Sequence, residues 1–285
     1  MAAAGFFSLD LKTVDGMIAA GARAEDLIAF IILCRGANRS GNTAITTWGI
    51  SAIAKYAGIS STRAKPAVQW LQQPRDGIPY IEQINRAYTE SLPLSQTPRW
   101  QINEAPEPDF IYLSNLFVEG IGQGKNNPPL ARIYNDIALR NHECIADARL
   151  DTLITLLHME HHHDLDAFGG VNPRSGFYRE WTAASERDGN RSSELADKGI
   201  TVHEIEPADE LYFTSFAKNC LRHVSGDANK NTRLEDAIAN LKALGLIYET
   251  VQIWSGNPFK NNGREAEPLY TLYCLLYTSP SPRDQ

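Results

Sequence analysis

Paired cysteines, long apolar runs and catalytic signature motifs are all missing from this 285-residue sequence. The four cysteines are Cys34, Cys144, Cys220 and Cys274, and no two stand in a Cys-x-x-Cys spacing. That excludes a disulfide framework and the usual zinc-binding spacings, and buried free thiols are expected instead. No apolar stretch approaches the ~18 residues that a membrane span needs. The opening Met1-Ala-Ala-Ala-Gly-Phe-Phe7 has none of the basic residues that begin a secretory signal, and Asp10 follows soon after. A cytoplasmic protein is expected. Gly-x-Ser-x-Gly, P-loop and Gly-x-Gly-x-x-Gly patterns are absent. Gly120-Ile-Gly-Gln-Gly124 precedes Lys125, but Asn-Asn-Pro-Pro follows, so no helix N-terminus is there to receive a phosphate. This segment reads as a loop, and neither an enzyme nor a cofactor is expected.

What is present is an ordinary globular composition, 43% hydrophobic and 21% charged, on a chain long enough for two domains. The formal net charge of −7 is unevenly spread. Residues 1–103 sum to +3 and residues 104–273 to −10. An acidic total therefore leaves room for a nucleic-acid contact, provided the contact lies in the first hundred residues.

The first part reads as helix, helix, strand, helix, turn, helix, hairpin. Leu9 to Ile18 is amphipathic, and Gly21 to Arg23 interrupts it. Ala24 to Leu33 is a strongly apolar helix, Gly36 to Asn42 a polar loop, and Ala44 to Trp48 a short strand rich in β-branched and aromatic residues. Ile50, Ile53, Ala54 and Ala57 then repeat along one helical face, and Gly58 supplies a stop. Ser60 or Ser61 caps a second helix in which Ala64, Ala67, Val68 and Leu71 repeat the same spacing. Two short helices about a glycine-containing turn make a helix-turn-helix. Pro66 opposes this reading, because inside a helix it removes a donor and crowds the preceding turn, so the helix is expected to kink or to start later. Ile78–Ile84 and Arg99–Ile102 read as strands flanking a long polar loop, which is a wing.

In such a unit the second helix enters the major groove and its outward side chains meet base edges. The outward set is Ser61, Thr62, Arg63, Lys65, Gln69 and Gln72. Arg63 can bond guanine bidentately, Gln69 can bond adenine, and Lys65 suits a phosphate. Arg86 in the wing loop, with Tyr88 and Thr89, is placed to reach the backbone or minor groove, and Arg35 and Arg39 are candidates for further phosphate contacts. The competing reading of the same surface is a solvated face on a module that binds only protein.

Beyond Ala105-Pro-Glu-Pro108, a candidate linker, Leu130–Ala138 and Ala146–Met159 read as helices. Gly169 to Gly176 and residues 182–199 read as loops, and Ile200–Ile205 as a strand. Leu234–Leu244 is helical, Leu246–Trp254 and Leu269–Tyr273 are strands, and Ser255-Gly-Asn-Pro258 turns between them. A helix followed by a hairpin suggests a second winged unit carrying an insertion. His158, His161, His162, His163 and Asp164 are clustered. His158 and His162 share a helical face and are the candidate metal ligands, with His161 or Asp164 as a third. Position 159 is Met, so the glutamate of a His-Glu-x-x-His site is missing. The expectation is no metal, with the imidazoles packing and complementing the helix C-terminus.

Residues 44–102, with Ile50–Gly58 and Ser61–Gln72 as paired helices, resemble the winged helix-turn-helix superfamily of DNA-binding proteins. With Leu234–Tyr273 as a second wing, the layout also resembles replication initiators of plasmids and phages, and winged-helix proteins of bacterial mobile elements. The resemblance implies an α+β, mainly helical fold. It divides the chain into a winged helix-turn-helix domain over 1–104 and a second, winged-helix-like domain over 109–273. It implies double-stranded DNA as partner, with a homodimer or a protein partner served by the acidic half. It further implies a transcriptional regulator or accessory protein of a mobile element, with a replication initiator or a protein-interaction module as alternatives.

The last segment is of another kind. Cys274-Leu-Leu-Tyr-Thr-Ser-Pro-Ser-Pro-Arg-Asp284 is identical to a translation of a common transposon sequencing adapter. Residues 274–285 are therefore expected to be foreign to the protein, with Cys274 not among its natural cysteines and the natural end lying somewhere beyond Tyr273.

Overall fold

Asp10 is where the chain first organises itself. In the computed structural model, which describes residues 5–40, 43–74, 77–84, 98–120, 128–136, 148–164, 170–171, 217–247, 253–254 and 268–270, strand β1 (Phe6–Asp10) ends where helix α1 (Leu11–Ala19) begins. Asp10 is 1% exposed and its carboxylate accepts from the amides of Lys12 and Thr13, both at 3.2 Å. It thereby satisfies donors that a helix N-terminus leaves open. The amides of Ala105 and Asp109 donate to the same carboxylate, at 3.0 and 2.8 Å. This seats strand β6 (Phe110–Ser114) antiparallel to β1, with Leu9 opposite Ile111 and Phe7 opposite Leu113. The amphipathic stretch from Leu9 is thus strand before it is helix, and the expected linker at 105–108 is anchored at both ends.

Helix α2 (Ala24–Arg35) is buried on every side, from Leu27 through Leu33 without a break. A helix apolar all round belongs at the centre of a molecule. Its first turn is closed by Asp26, whose carboxylate accepts from the Arg23 amide at 2.9 Å. Packed about it are helices α3 (Ile50–Ala57), α4 (Ser61–Leu71), α5 (Asn115–Glu119), α6 (Pro129–Asn135) and α7 (Ala148–His161).

A four-stranded antiparallel sheet lies beside them. Its members are β2 (Ala37–Ser40), β3 (Thr43–Thr46), β4 (Ile81–Gln83) and β5 (Trp100–Ile102), in the order β2-β3-β5-β4. Ala44, Thr46, Ile81, Trp100 and Ile102 form its buried face. The segment expected as a loop from Gly36 is strand over Ala37–Ser40, because its backbone pairs with β3 although its side chains carry no alternating pattern.

Farther along, helix α8 (Asp227–Ala243) packs Leu234, Ala237 and Leu241 onto α7. It begins seven residues before its apolar face does. Asp151 of α7, 2% exposed, accepts from Arg233 Nε and pairs with His223 Nε2 at 3.0 Å, which compensates the burial of its charge. Two-residue strands β7 (His163–Asp164) and β8 (Gly170–Val171) pair antiparallel, as do β9 (Ile253–Trp254) and β10 (Pro268–Tyr270). The protein is α+β and mainly helical, and its buried apolar residues on both sides of positions 105–108 belong to one continuous core. Among the described residues no helix is long and apolar enough to cross a membrane. The segment expected as a loop from Gly169 to Gly176 is strand at Gly170–Val171, through its pairing with β7. The expected loops at 85–97, 121–127 and 182–199, the strand at 200–205, the turn at 255–258 and the tail at 274–285 lie outside the described residues.

Candidate nucleic-acid interface

Helices α3 and α4 are joined by residues 58–60. Ile53 and Ala57 hold α3 to the core, and Gly58 ends it in the left-handed conformation at φ +67°. Only glycine adopts that geometry at little cost. A side chain there would also meet a neighbour, since an added Cβ would sit 3.0 Å from Asn135 Nδ2. The Asn135 amide donates to the Ala57 carbonyl at 2.9 Å and to Ala131 at 2.8 Å, so α6 closes the turn from outside. Ser60 then caps α4, its hydroxyl accepting from the Arg63 amide at 3.4 Å.

Along α4 the two faces separate cleanly. Ala64, Ala67, Val68 and Leu71 are buried. Ser61, Thr62, Arg63, Lys65 and Gln69 are exposed, and Gln72, at the C-cap, is half-buried. Pro66 is on the exposed face and the helix runs through it from Ser61 to Leu71. The expected later start is not what accommodates it, since the helix begins at Ser61. Proline at 66 removes the amide that would pair with the Thr62 carbonyl, and both residues are exposed. Lys55, exposed on α3, lies over the Tyr56 ring at 4.7 Å, and Tyr56 stacks on Trp48 at 4.8 Å. Trp70, half-buried, stacks on Tyr80 at 5.5 Å and 6°. The Tyr80 amide donates to the Leu71 carbonyl at 3.0 Å, which ties the start of β4 to the end of α4.

The remaining candidates fall elsewhere. Arg39, on β2, forms an ion pair with Glu104 and lies 4.6 Å over the Phe110 ring, so its charge is already matched. Arg35 pairs with Glu119 and lies over Trp48 at 5.6 Å. Arg86, Tyr88 and Thr89 lie outside the described residues. His158 is 5% exposed and its Nε2 meets Asp15 at 3.2 Å, joining α7 to α1. His162 stands edge-on to His161, with ring centroids 5.1 Å apart. Burial and the neighbouring imidazoles push the His162 pKa down. Among the described residues no three His, Cys, Asp or Glu side chains converge as metal ligands would. Cys34 and Cys220 are buried free thiols, and burial raises both pKa values well above the usual range.

Sequence reasoning missed Lys55 on this surface and, on α6 beside it, the buried Tyr134 and half-buried Asn135. Lys55 was legible, because it lies off the apolar repeat of α3. Tyr134 and Asn135 carried no signal, since only folding brings α6 to the α3–α4 turn. No family model matches the chain, and no curated protein or solved structure matches it.

Proposed function

We propose that the protein binds duplex DNA as a winged-helix regulator or accessory protein of a bacterial mobile element, with α4 as the helix that enters the major groove. The observation that carries this reading is the division of α4 itself. Its apolar positions are in the core, while Ser61, Thr62, Arg63, Lys65 and Gln69 project into solvent. These side chains are the donors and acceptors that base edges and phosphates require. The element order supports the reading, with β3 preceding the helix pair, β4 and β5 following it, and β5 lying between β3 and β4. In a winged helix the strand ahead of the helix pair also joins the hairpin behind it. Lys55, Arg63 and Lys65 concentrate positive charge on this side. The residues specifying contact would be Ser61, Thr62, Arg63, Gln69 and Gln72, with Lys55 and Lys65 on phosphates.

A replication initiator is the second reading. It is favoured by α8, after which β9 and β10 pair antiparallel, again a helix followed by two strands. The net charge of −10 over residues 104–273 opposes it. Footprinting on a bound duplex separates the two, since an initiator of this layout protects DNA with both halves.

The deciding experiment is a titration of the full chain against a random duplex at increasing salt. Neutralising each phosphate contributes about −0.9 to the log–log slope, so Lys55 and Lys65, the two placed on phosphates, together predict a slope of about −2 for each bound chain. An absence of binding at about 50 mM salt, where phosphate contacts are strong, rejects DNA as the partner.

A further inference from the structure

Among the exposed residues of α4, only Pro66 has a side chain with neither a hydrogen-bond donor nor an acceptor. Ala64, Ala67, Val68 and Leu71 define the buried side of the helix. With about 3.6 residues to the turn, Thr62, Pro66 and Gln69 lie about 150–170° of rotation from the middle of that side, and Arg63 and Lys65 about 90–110° from it. Pro66 therefore stands on the outermost ridge, one turn after Thr62 and one turn before Gln69, with a cation on either flank. When a helix is seated in a groove, its outermost ridge goes deepest and meets the base edges.

Proline is the least favourable residue inside a helix, and at an exposed position no packing offsets that cost. A residue that breaks a local rule without a structural return is expected at a functional site. What the ring can do there follows from its chemistry. It has no hydrogen-bonding group, so against a base edge it makes apolar contact alone. In the major groove guanine, adenine and cytosine present donors and acceptors, and thymine adds a methyl group. A ring pressed against the amino group or oxygen of another base would take that group from water and give it no partner, which lowers affinity. The same ring against a thymine methyl withdraws two apolar groups from water together.

We propose that Pro66 is a specificity-determining residue that seats the 5-methyl group of one thymine in the target duplex. This rests on the DNA reading of α4. It gives α4 a reason to keep a residue that weakens it, because the substitution that strengthens the helix also blunts its reading of the sequence.

The test uses the full chain and the duplex it enriches most from a randomised 20-base-pair library. Copies of that duplex carry uracil in place of each thymine in turn, which keeps the base pair and removes only the methyl group. One such replacement should lower the affinity of the wild-type chain by about two- to fivefold, the range of one methyl group returned to water. In Pro66→Ala the same replacement should lose most or all of its effect. Because this variant regains a helical amide, it is expected to fold, and it should bind a random duplex with the wild-type salt slope, since both phosphate ligands are untouched. A straightened helix alone would weaken binding of the enriched duplex by Pro66→Ala yet leave the uracil effect intact, and that result overturns the proposal. A wild-type chain indifferent to every uracil replacement overturns it too, as does one that binds duplex but enriches no sequence. Each of these leaves the DNA reading standing. If the wild-type chain binds no duplex at all, the DNA reading falls with the proposal.

Discussion

Asp10 concentrates more structural consequence than any other described side chain, because four backbone amides from two parts of the chain converge on it. Asp10→Ala leaves those buried donors unsatisfied, at a cost of ~1–3 kcal/mol for each that finds no water. A total loss of roughly 3 kcal/mol or more is expected in urea denaturation, with Asp10→Asn, which keeps one acceptor oxygen, losing less. Glu160 acts in the opposite sense. Desolvation raises its carboxyl from 4.5 to about 7. The folded state therefore binds a proton more tightly than the unfolded state does. The protonated form is fully compatible with folding below pH 4.5, and stability is lost as pH rises through about 7. Glu160→Gln should consequently raise the melting temperature at pH 8 and leave it nearly unchanged at pH 4.5. A shift of equal size at both pH values would show that the carboxyl is not desolvated.

Helix α4 is built against its own propensity at one position. A proline inside a helix is about 3 kcal/mol less favourable than alanine, and Pro66 is exposed, so no packing compensates. Pro66→Ala restores a donor to the Thr62 carbonyl and should stabilise the protein by about 1–3 kcal/mol, read as a higher midpoint in denaturant with an unchanged slope. Proline also restricts the unfolded chain, which sets the gain below the full propensity difference. The turn ahead of α4 has the opposite requirement. Gly58→Ala places a Cβ in a left-handed conformation and against Asn135 Nδ2, and should cost about 1–2 kcal/mol. Part of that loss should vanish in an Asn135→Ala background, where the close approach is gone. Equal losses in both backgrounds would assign the whole cost to the backbone.

At the scale of the whole molecule, the division expected near residue 104 meets a core that crosses it. Strand β1 pairs with β6, Asp10 binds the amides of Ala105 and Asp109, and α2 packs against α5, α6 and α7. A chain ending at Glu104 would expose the faces of α2 that α5, α6 and α7 cover, at ~25 cal/mol for each Å² of apolar surface returned to water. Such a fragment should show collapsed amide dispersion in a two-dimensional NMR spectrum, and the full chain should not. A well-dispersed fragment spectrum would restore residues 1–104 as a self-sufficient domain.

Spacing alone located the helices at the centre of the argument. α3 occupies Ile50–Ala57 and α4 buries Ala64, Ala67, Val68 and Leu71, because a repeat of three and four residues has one geometric consequence along a helix. The exposed face of α4 follows from the same periodicity. Tertiary structure decided what no local pattern encodes. The seating of β6 on β1 depends on Asp10 meeting amides about a hundred residues away, and β2 exists through its pairing with β3 rather than through its composition. Pro66 is accommodated because its side of the helix faces water, which depends on where α4 packs. The Asn135 amide that closes the α3–α4 turn lies 78 positions farther along the chain than the Ala57 carbonyl it binds, on a helix whose sequence does not say what it touches. Periodicity records which side of an element is dry, whereas a single hydrogen bond between distant residues exists only once the core has brought them together.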